Sequence, residues 1–418
     1  MKLDRRDFLR CGLMTGAAAT LSTSAFLRTL RAAPGVGGVN LVLIELFGGN
    51  DGYNTVVPFG VDGGAYYSLY RSAIGVPENQ VLKIAGQPVG FHPQMGALKA
   101  LFDQGRVALV QGVGYPDPSF SHEVAQRDWH SGTPGVLSQS GWLGRYLGLY
   151  PAPSFPYAAE LDSQLPLLTA GASGFVPAIP YLDDFTFPID PFHFEDGTNR
   201  KNSYLALANA AKLQAGRLGS IAGVGVDLLQ LIDAFQAVPG FNHVGQYPDH
   251  WFADSLKLCA RLMNSGLGLQ IFHCGIGGFD THADQNLDGY HGNLLEVLSQ
   301  SIAALHADLT AANLASSTLF VVFSEFGRTL YQNGSLGCDH GTVNPVLVIG
   351  DPILGHGGVV NPHPSLDPGN LTDFSEAQTA IDFRDVFGTI VKRHFGESGA
   401  NLAAVFPNHT VTDLGFLG

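Results

Sequence analysis

A short apolar segment that ends abruptly in polar residues limits the possible folds of this chain more than any other feature. Residues 319–323 form an unbroken run rich in Val and Phe. Such a run predicts a strand buried on both faces, as in a parallel sheet covered by helices. Ser324, Glu325 and Arg328 follow directly. Because ligands bind at the carboxyl ends of strands in open α/β sheets, the sequence predicts a functional site at this edge.

A second polar pair lies further along the same stretch. Asp339 and His340 follow a Gly-rich loop, and residues 345–349 predict another buried strand after them. An acid at one strand end and an Asp-His pair just before the next strand could converge on one metal ion. Glu325, Asp339 and His340 are therefore predicted metal ligands.

The first predicted strand, residues 39–47, also ends beside an acid. Gly48 and Gly49 permit a tight turn, which puts Asp51 at the carboxyl end of a buried strand. An ordinary Asp-Gly turn is the alternative. Since Asp51 matches the position of Glu325 at its own strand end, we favour a metal ligand.

Residues 266–275 predict a further buried strand, and residues 290–309 predict the helix after it. Asp280, His282 and Asp284 alternate in the loop between them. An Asp-x-His pair in an extended loop projects both side chains to one side and can bind one cation. A helix-entry cap by Asp280 or Thr281 is the alternative. We favour metal binding by Asp280 and His282.

Helices and strands alternate along the chain. Apolar residues at positions 95, 98, 101 and 102 predict an amphipathic helix, and residues 107–113 predict a buried strand. This alternation favours an α/β fold, with a mostly parallel central sheet and helices on both faces. Residues 134–250 hold many Pro and Phe residues and two helical stretches, near 203–218 and 226–235. They predict a cap subdomain inserted over the sheet edge.

Two serines precede a predicted helix near residue 122. Ser119 and Ser121 lie where a loop enters this helix, so their hydroxyls could cap its amides. The same helix start would suit an anion, and a nucleophilic serine is the functional alternative, with Ser121 ahead of Ser119. His122 and Glu123 follow and could be ligands or a positioning pair; we assign His122 to the catalytic group.

Residues 1–33 have the pattern of an export signal. Arg5 and Arg6 precede an apolar run from residue 11 to residue 21, and Ala32 and Ala33 supply small residues for cleavage. A membrane anchor is the alternative, but the run is too short to span a bilayer. We expect twin-arginine export to the periplasm or beyond, which leaves residues 34–418 as the mature protein. We find no later apolar run of bilayer length.

The charge of the chain excludes some partners. The sequence has 22 basic and 36 acidic residues. Residues 1–33 hold six of the basic and two of the acidic ones, so the mature chain has a net charge of −18. Such a surface argues against nucleic acid or an anionic membrane as partner. It does not exclude a small anionic substrate, because a metal centre dominates its local field. The three cysteines after residue 33 are an odd number, which argues against a disulfide framework.

Several of these stretches together resemble a family of twin-arginine-exported bacterial proteins catalogued only as a domain of unknown function. The matching stretches cover nearly the whole mature chain, in the same order. They are residues 47–52, Ser121-His122 with Ala125-Gln126 and Trp129, residues 279–285, residues 324–329, and Asp339-His340.

That family in turn resembles the alkaline phosphatase and sulfatase superfamily, which implies an alkaline-phosphatase-like fold. By this resemblance Asp51 is similar to the first metal acid, and Ser121 stands nearest the nucleophile. Asp280 with His282 resembles the next ligand segment, Glu325 the strand-end acid, and His340 the last histidine.

Two positions depart from the superfamily pattern. Glu325 replaces an Asp that is usually followed by His, and Phe326 follows here. Asp284 stands where a histidine usually follows Asp280 after a gap of three residues. The Cys-x-Pro-x-Arg motif of sulfatases is absent from the sequence, which disfavours a formylglycine sulfatase.

The sequence thus leads to a hypothesis and a rival. The hypothesis is a secreted hydrolase of phosphate or sulfate esters with two divalent ions, Zn, Mn or Ca, that clamp the oxygens of an in-line displacement. Ser121 would attack, and Arg328 would stabilise the developing charge. The rival is a non-catalytic exported metal-binding protein that acts as a cell-surface interaction module.

Overall fold

A computed structural model describes residues 38–60, 63–151, 156–183, 185–187, 197–372 and 376–418. The expected signal peptide lies outside these residues and stays a prediction. Within them, Cys259, Cys274 and Cys338 are buried and unpaired, so the described chain has no disulfide framework.

An eight-stranded sheet forms the centre of the described chain, with strand order β12-β5-β11-β8-β1-β7-β6 and β13 paired to β5. Only β11 runs antiparallel to its neighbours; the other pairings in this sheet are parallel. Its strands are β1 (Asn40–Leu46), β5 (Val107–Gly114), β6 (Ala158–Glu160), β7 (Ile271–Ile276), β8 (Thr318–Phe323), β11 (Asn344–Ile349), β12 (Gly358–Val359) and β13 (Ile381–Asp382). The predicted mostly parallel α/β sheet is confirmed.

Two smaller antiparallel sheets flank the central one. One has the order β2-β4-β3 and the other pairs β9 with β10. Their strands are β2 (Val56–Pro58), β3 (Leu82–Lys83), β4 (Val89–Phe91), β9 (Gly327–Arg328) and β10 (His340–Gly341). The β9–β10 pair joins the loop after β8 to the loop before β11.

Helices lie on both faces of the central sheet, and the described chain has eleven in all. They are α1 (Gly52–Thr55), α2 (Gly63–Tyr70), α3 (Gly96–Asp103), α4 (His122–Ser131), α5 (Trp142–Leu147), α6 (Gly197–Lys212), α7 (Arg217–Gln236), α8 (Trp251–Met263), α9 (Tyr290–Ala311), α10 (Phe383–Arg393) and α11 (Gly399–Val405). Short 3-10 turns occur at Glu78–Gln80, Leu167–Thr169, Leu287–Gly289, Ala315–Ser317, Asp351–Ile353 and Pro368–Asn370.

The side chains of the buried strands alternate between two apolar cores. In β1, Val42 and Ile44 pack with α8 and α9, whereas Leu41 and Leu43 pack with the aromatic residues of α4, α5 and α10. Because successive side chains of a strand point to opposite faces, a strand that is covered on both sides is apolar throughout. This accounts for the unbroken apolar runs in the sequence.

Residues 134–250, the range predicted as a cap subdomain, contribute one strand to the central sheet and helices outside it. β6 is an edge strand of the central sheet, and α6 and α7 pack on each other. The cap boundary stays a prediction.

One described helix, α7, differs from the expectation that no apolar run after residue 33 reaches bilayer length. Its length and composition would allow it to cross a membrane, although 44% of its apolar 18-residue stretch is buried inside the protein. Leu231 and Phe235 of α7 belong to one of the two main cores. Since core helices of soluble proteins meet the same criteria, this is weak evidence for a membrane span.

A candidate metal centre at the sheet edge

The predicted site lies where three strands end and β11 begins. β1, β7 and β8 are parallel neighbours, so the loops that carry Gly48, Asp280 and Glu325 leave the same edge of the sheet. β11 runs the other way, so the loop before it, with His340, returns to that edge. Because β11 is antiparallel to β8, the loop that precedes β11 meets the loops that follow β1, β7 and β8.

Three imidazoles and one carboxylate meet at this edge. The Nε2 atoms of His282, His340 and His122 lie 3.1, 3.3 and 3.5 Å from Asp280 Oδ1. The Nε2 atoms of His282 and His340 are 2.9 Å apart. We call His122, Asp280, His282 and His340 the outer cluster. Asp280 and His282 are exposed, and the two other histidines are partly buried, so solvent reaches the group.

An oxygen acceptor holds the other ring nitrogen of each histidine. Nδ1 of His122 lies 2.8 Å from Glu325 Oε1, and Nδ1 of His282 lies 3.1 Å from Asp339 Oδ1. Nδ1 of His340 lies 2.7 Å from the carbonyl oxygen of Phe120. A carbonyl only accepts hydrogen bonds, and so does an ionised carboxylate, so each Nδ1 carries a proton.

This tautomer assignment has a consequence for the centre of the cluster. In neutral imidazoles with Nδ1–H, the Nε2 atoms of His282 and His340 present lone pairs to each other at 2.9 Å. That arrangement is repulsive without a cation or an extra proton between them. Metal-binding histidines donate their second N–H to a carboxylate or carbonyl in this way. The donor set therefore fits a divalent metal ion.

The pKa shifts follow from these contacts. The hydrogen bond that His122 donates to Glu325 raises the pKa of His122, and burial lowers the pKa of His340. Burial would raise the pKa of Asp280, but the hydrogen bond and charge of Arg328, together with His340 and His282, hold it below its usual value. Asp280 is thus ionised at neutral pH.

Glu325 lies behind the outer cluster. It is buried, and its Oε1 accepts hydrogen bonds from His122 and from the backbone N–H of Gly48 at 2.9 Å. Its Oε2 accepts one from the Ser324 hydroxyl at 2.9 Å. Glu325, predicted as a metal ligand, thus orients His122. His122, predicted as catalytic, instead lies among the groups that could bind a metal ion.

Arg328 ties the loops of the site together. It is buried, and its guanidinium donates hydrogen bonds to Asp280 Oδ1 at 2.6 Å and to four backbone carbonyls. These carbonyls belong to Gly48, Gly49, Phe279 and Cys338. The side chain predicted to stabilise substrate charge therefore fixes the framework beneath Asp280.

Asp51 lies in a separate buried network. Its Oδ2 accepts hydrogen bonds from Arg71 and Gln285, both at 2.6 Å, and its Oδ1 caps α1 through the N–H of Asn54. Burial alone would raise the pKa of Asp51, but the charge of Arg71 holds it below its usual value. Sequence reasoning missed Arg71, because nothing in its local sequence marks it as a partner of a residue twenty positions earlier.

The two serines differ in the structure. The Ser119 hydroxyl accepts a hydrogen bond from the N–H of Ser121 at 3.2 Å, so it supports the turn. Ser121 is the N-cap residue of α4 and directly precedes His122, and its exposed side chain makes no cap hydrogen bond with the described residues. Ser121 is therefore the serine that adjoins a member of the outer cluster in the chain and whose hydroxyl makes no cap hydrogen bond with the described residues.

Comparison with known proteins identifies the family. Residues 63–406 match the model of a family described as "Protein of unknown function (DUF1501)". The chain belongs to this family. The DUF1501 match contains every predicted site residue except Asp51, and it confirms the resemblance to a family of unknown function. A search of curated proteins returns no match.

Several solved structures are similar to this DUF1501 chain in outline. Ps i-CgsB in complex with k-i-k-neocarrahexaose has 11% identity and a TM-score of 0.42, over 90% of this chain and 75% of that one. The lipoteichoic acid synthase LtaP from Listeria monocytogenes has 8% identity and a TM-score of 0.38, over 93% and 81%. A protein in the alkaline phosphatase superfamily from Vibrio parahaemolyticus has 10% identity and a TM-score of 0.37, over 84% and 65%. Nothing about activity follows from similarity at this level.

Proposed function

We propose that this protein is an exported, metal-dependent hydrolase of phosphate or sulfate esters. The observation that carries the proposal is the convergence of three Nε2 atoms on Asp280, with each Nδ1 held by an oxygen acceptor. The motif order of the sequence supports the ester chemistry. Twin-arginine export rests on residues 1–33 alone.

The outer cluster would hold one divalent ion. A divalent ion supplies positive charge to the developing negative charge of an ester oxygen and polarises the ester towards attack. Imidazole and carboxylate ligands suit Zn or Mn better than Ca, which prefers oxygen ligands alone. A second ion, as the resemblance implies, would require Asp51 to exchange Arg71 for the ion.

Ser121 is the residue that attacks the ester in this proposal. Its hydroxyl is exposed beside His122, and the amides of the first turn of α4 favour an anion at the same place. His122 is held by Glu325, so its ring keeps one orientation while substrate binds. Arg328 acts through Asp280 and not by contact with substrate.

The test is a screen of the full chain, loaded with Zn²⁺, Mn²⁺ or Ca²⁺, against aryl phosphates, phosphodiesters and aryl sulfates. We expect turnover of one ester class. Ser121→Ala should lower kcat by more than about 100-fold, because it removes the nucleophile. The matched control is Ser119→Ala, which should keep most of the turnover.

The outcomes separate the roles of the residues. Loss of turnover in Ser119→Ala with retention in Ser121→Ala would reverse the assignment of the nucleophile. His282→Gln should lower both turnover and metal content, as measured by elemental analysis. Unchanged metal content in His282→Gln would contradict the proposed centre itself.

One observation favours the rival, a non-catalytic exported metal-binding protein. The guanidinium of Arg328 is buried and donates hydrogen bonds to four carbonyls and Asp280, so this side chain is not exposed to an anionic ester. Stoichiometric metal bound at the outer cluster, without turnover of any ester in the screen, would support this alternative.

A further inference from the structure

A second group of imidazole and carboxylate side chains lies inside the protein. Glu45 of β1, His130 of α4 and His273 of β7 each bring one ligand atom within 4.8 Å of the others. Glu45 Oε2 lies 2.8 Å from His130 Nε2 and 3.3 Å from His273 Nε2. We call these three residues the inner cluster. All three are buried, and none belongs to the outer cluster.

Two more side chains orient the inner cluster. Nδ1 of His273 lies 2.7 Å from Glu160 Oε2, and Gln126 Nε2 donates a hydrogen bond to Glu45 Oε1 at 3.2 Å. His273 therefore has a carboxylate on the side away from its Nε2, as ligating histidines in metal sites do. The second oxygen of Glu45 is held as well, which leaves Oε2 to face both histidines.

A cavity of about 480 Å³ opens beside the inner cluster. His130, His273 and Glu160 line it, together with Gln126 and Asp162. Glu160 is 1% exposed, and its Oε1 is buried without a hydrogen-bond partner among the described residues. A buried carboxylate oxygen without a hydrogen-bond partner costs free energy. This atom therefore indicates that a polar or cationic ligand binds in the cavity.

The charges of the group also favour a cation. A metal ion binds imidazoles in their neutral form, so Glu45 and Glu160 would then leave two buried negative charges for the ion to balance. Without an ion, a proton on His273, whose two ring nitrogens face Glu160 and Glu45, supplies part of this compensation. Ligand atoms about 2.1 Å from a common ion lie roughly 3.0–3.4 Å apart, close to the two distances from Glu45 Oε2 to the histidines.

We propose that Glu45, His130 and His273 form a second metal site that takes a divalent transition ion such as Zn²⁺, Mn²⁺ or Fe²⁺. Two histidines and one carboxylate leave coordination positions open, and both histidines line the cavity. A small molecule in the cavity would then contact the ion directly. This site uses none of the residues of the proposed ester hydrolase and does not depend on that function.

The test counts metal ions per chain. The full chain is stripped with a chelator, equilibrated with Zn²⁺, freed of excess metal and measured by elemental analysis. Glu45→Gln, which keeps the side-chain shape, and His130→Gln should each bind one ion fewer than the wild type. His282→Gln should lose only the ion of the outer cluster. Glu160→Gln should retain the inner ion with an affinity about 10–100-fold weaker, because it alters only the support of His273.

His306→Gln is the matched control. His306 is a buried histidine that contacts a single carboxylate, Asp351, at 2.9 Å, and this variant should bind as many ions as the wild type. Replacement of Zn²⁺ by Co²⁺ adds a spectroscopic measurement. A visible absorption band that persists in His282→Gln and disappears in His130→Gln would support the inner site.

The proposal is overturned if Zn²⁺, Mn²⁺ and anaerobic Fe²⁺ load His130→Gln and the wild type equally. The inner cluster would then be a buried hydrogen-bond network. If Glu45→Gln does not fold, the metal count of His130→Gln decides, since this residue lies near the end of a helix and not within the sheet. Failure of the ester screen would leave these counts unaffected.

Discussion

The outer and inner clusters contain the same chemical groups in opposite surroundings. The outer cluster lies on a loop, the first residue of α4 and the short strand β10, and it is open to solvent, whereas the inner cluster lies on two strands and a helix and is buried. α4 contributes to both, with His122 at its first turn and His130 near its end. Eight residues of helix span roughly 12 Å, so the clusters are separate. The comparison shows how one helix can serve a surface site and an interior site.

The electrostatics of the two clusters differ for the same reason. Burial would raise the pKa of Glu45, but His130 and His273 hold it at about 2. Burial would lower the pKa of His273, but Glu160 and Glu45 raise it to about 10. In the absence of metal the inner cluster is thus a set of mutually dependent charges. In the outer cluster, two carboxylates and a carbonyl accept hydrogen bonds from the imidazoles. Arg328 donates a hydrogen bond to Asp280 there.

The largest expected effect tests whether Arg328 is a structural support of the outer cluster. Arg328→Met would leave four backbone carbonyls without their donor, so the free energy of unfolding should fall by about 3–5 kcal/mol. The loss of the Asp280 contact adds little, because Asp280 is exposed. Urea unfolding of metal-free protein measures this.

Arg106→Met is the control for that experiment. Its ion pair with Asp351 is partly exposed, so removal should cost about 1 kcal/mol or less. A stable Arg328→Met variant with normal metal content and no turnover would instead return Arg328 to the catalytic role that the resemblance implies.

A smaller expected effect concerns a buried carboxylate that, unlike Glu45, has no imidazole partner to lower its pKa. Glu376 is buried, and its Oε2 has no hydrogen-bond partner among the described residues. Burial raises the pKa of Glu376 to about 8, in contrast with Glu45. In the folded protein Glu376 therefore keeps its proton between about pH 4.5 and pH 8, where the unfolded chain has lost it. The free energy of unfolding should thus fall as pH rises, by up to about 1.4 kcal/mol per pH unit.

The measurement compares thermal unfolding of Glu376→Gln and the wild type from pH 5 to pH 9. The variant cannot ionise there, so its stability advantage should grow with pH and level off above pH 8. Glu397→Gln is the control, since Glu397 is a buried glutamate that accepts hydrogen bonds from Tyr150 and Asn401. A difference that does not change with pH would mean that Glu376 is ionised in the folded protein.

The sequence was sufficient for the sheet and for most of the outer cluster, and the reason is physical. Strands covered on both faces are continuous apolar runs, and their polar ends can be read directly, as at residues 318–325. Asp280 and His282 are two residues apart, so their common direction follows from local geometry. His340 was predicted as a ligand from its place beside Asp339 just before a buried strand, and the resemblance implied the same.

The inner cluster could not be predicted in the same way. Glu45 and His273 are single polar residues inside apolar strands, 228 positions apart. They meet because β1 pairs with β7 in a register that sets Leu43 beside His273, and register depends on the folded sheet. The partner of Asp51 was hidden for a similar reason, since Arg71 reaches it only after the chain folds back.

The smallest expected effect tests whether α4 couples the two clusters. His130→Gln and His282→Gln, alone and together, form a double-mutant cycle in metal-free protein. Residues more than about 10 Å apart without shared partners have additive effects within about 0.5 kcal/mol, and we expect that result here. A coupling above about 1 kcal/mol would mean that a change is transmitted between the clusters, either by α4 or by the chain that runs from His273 in β7 to Asp280 and His282. Repetition of the cycle with Zn²⁺ would then show whether an ion at one cluster alters the affinity of the other.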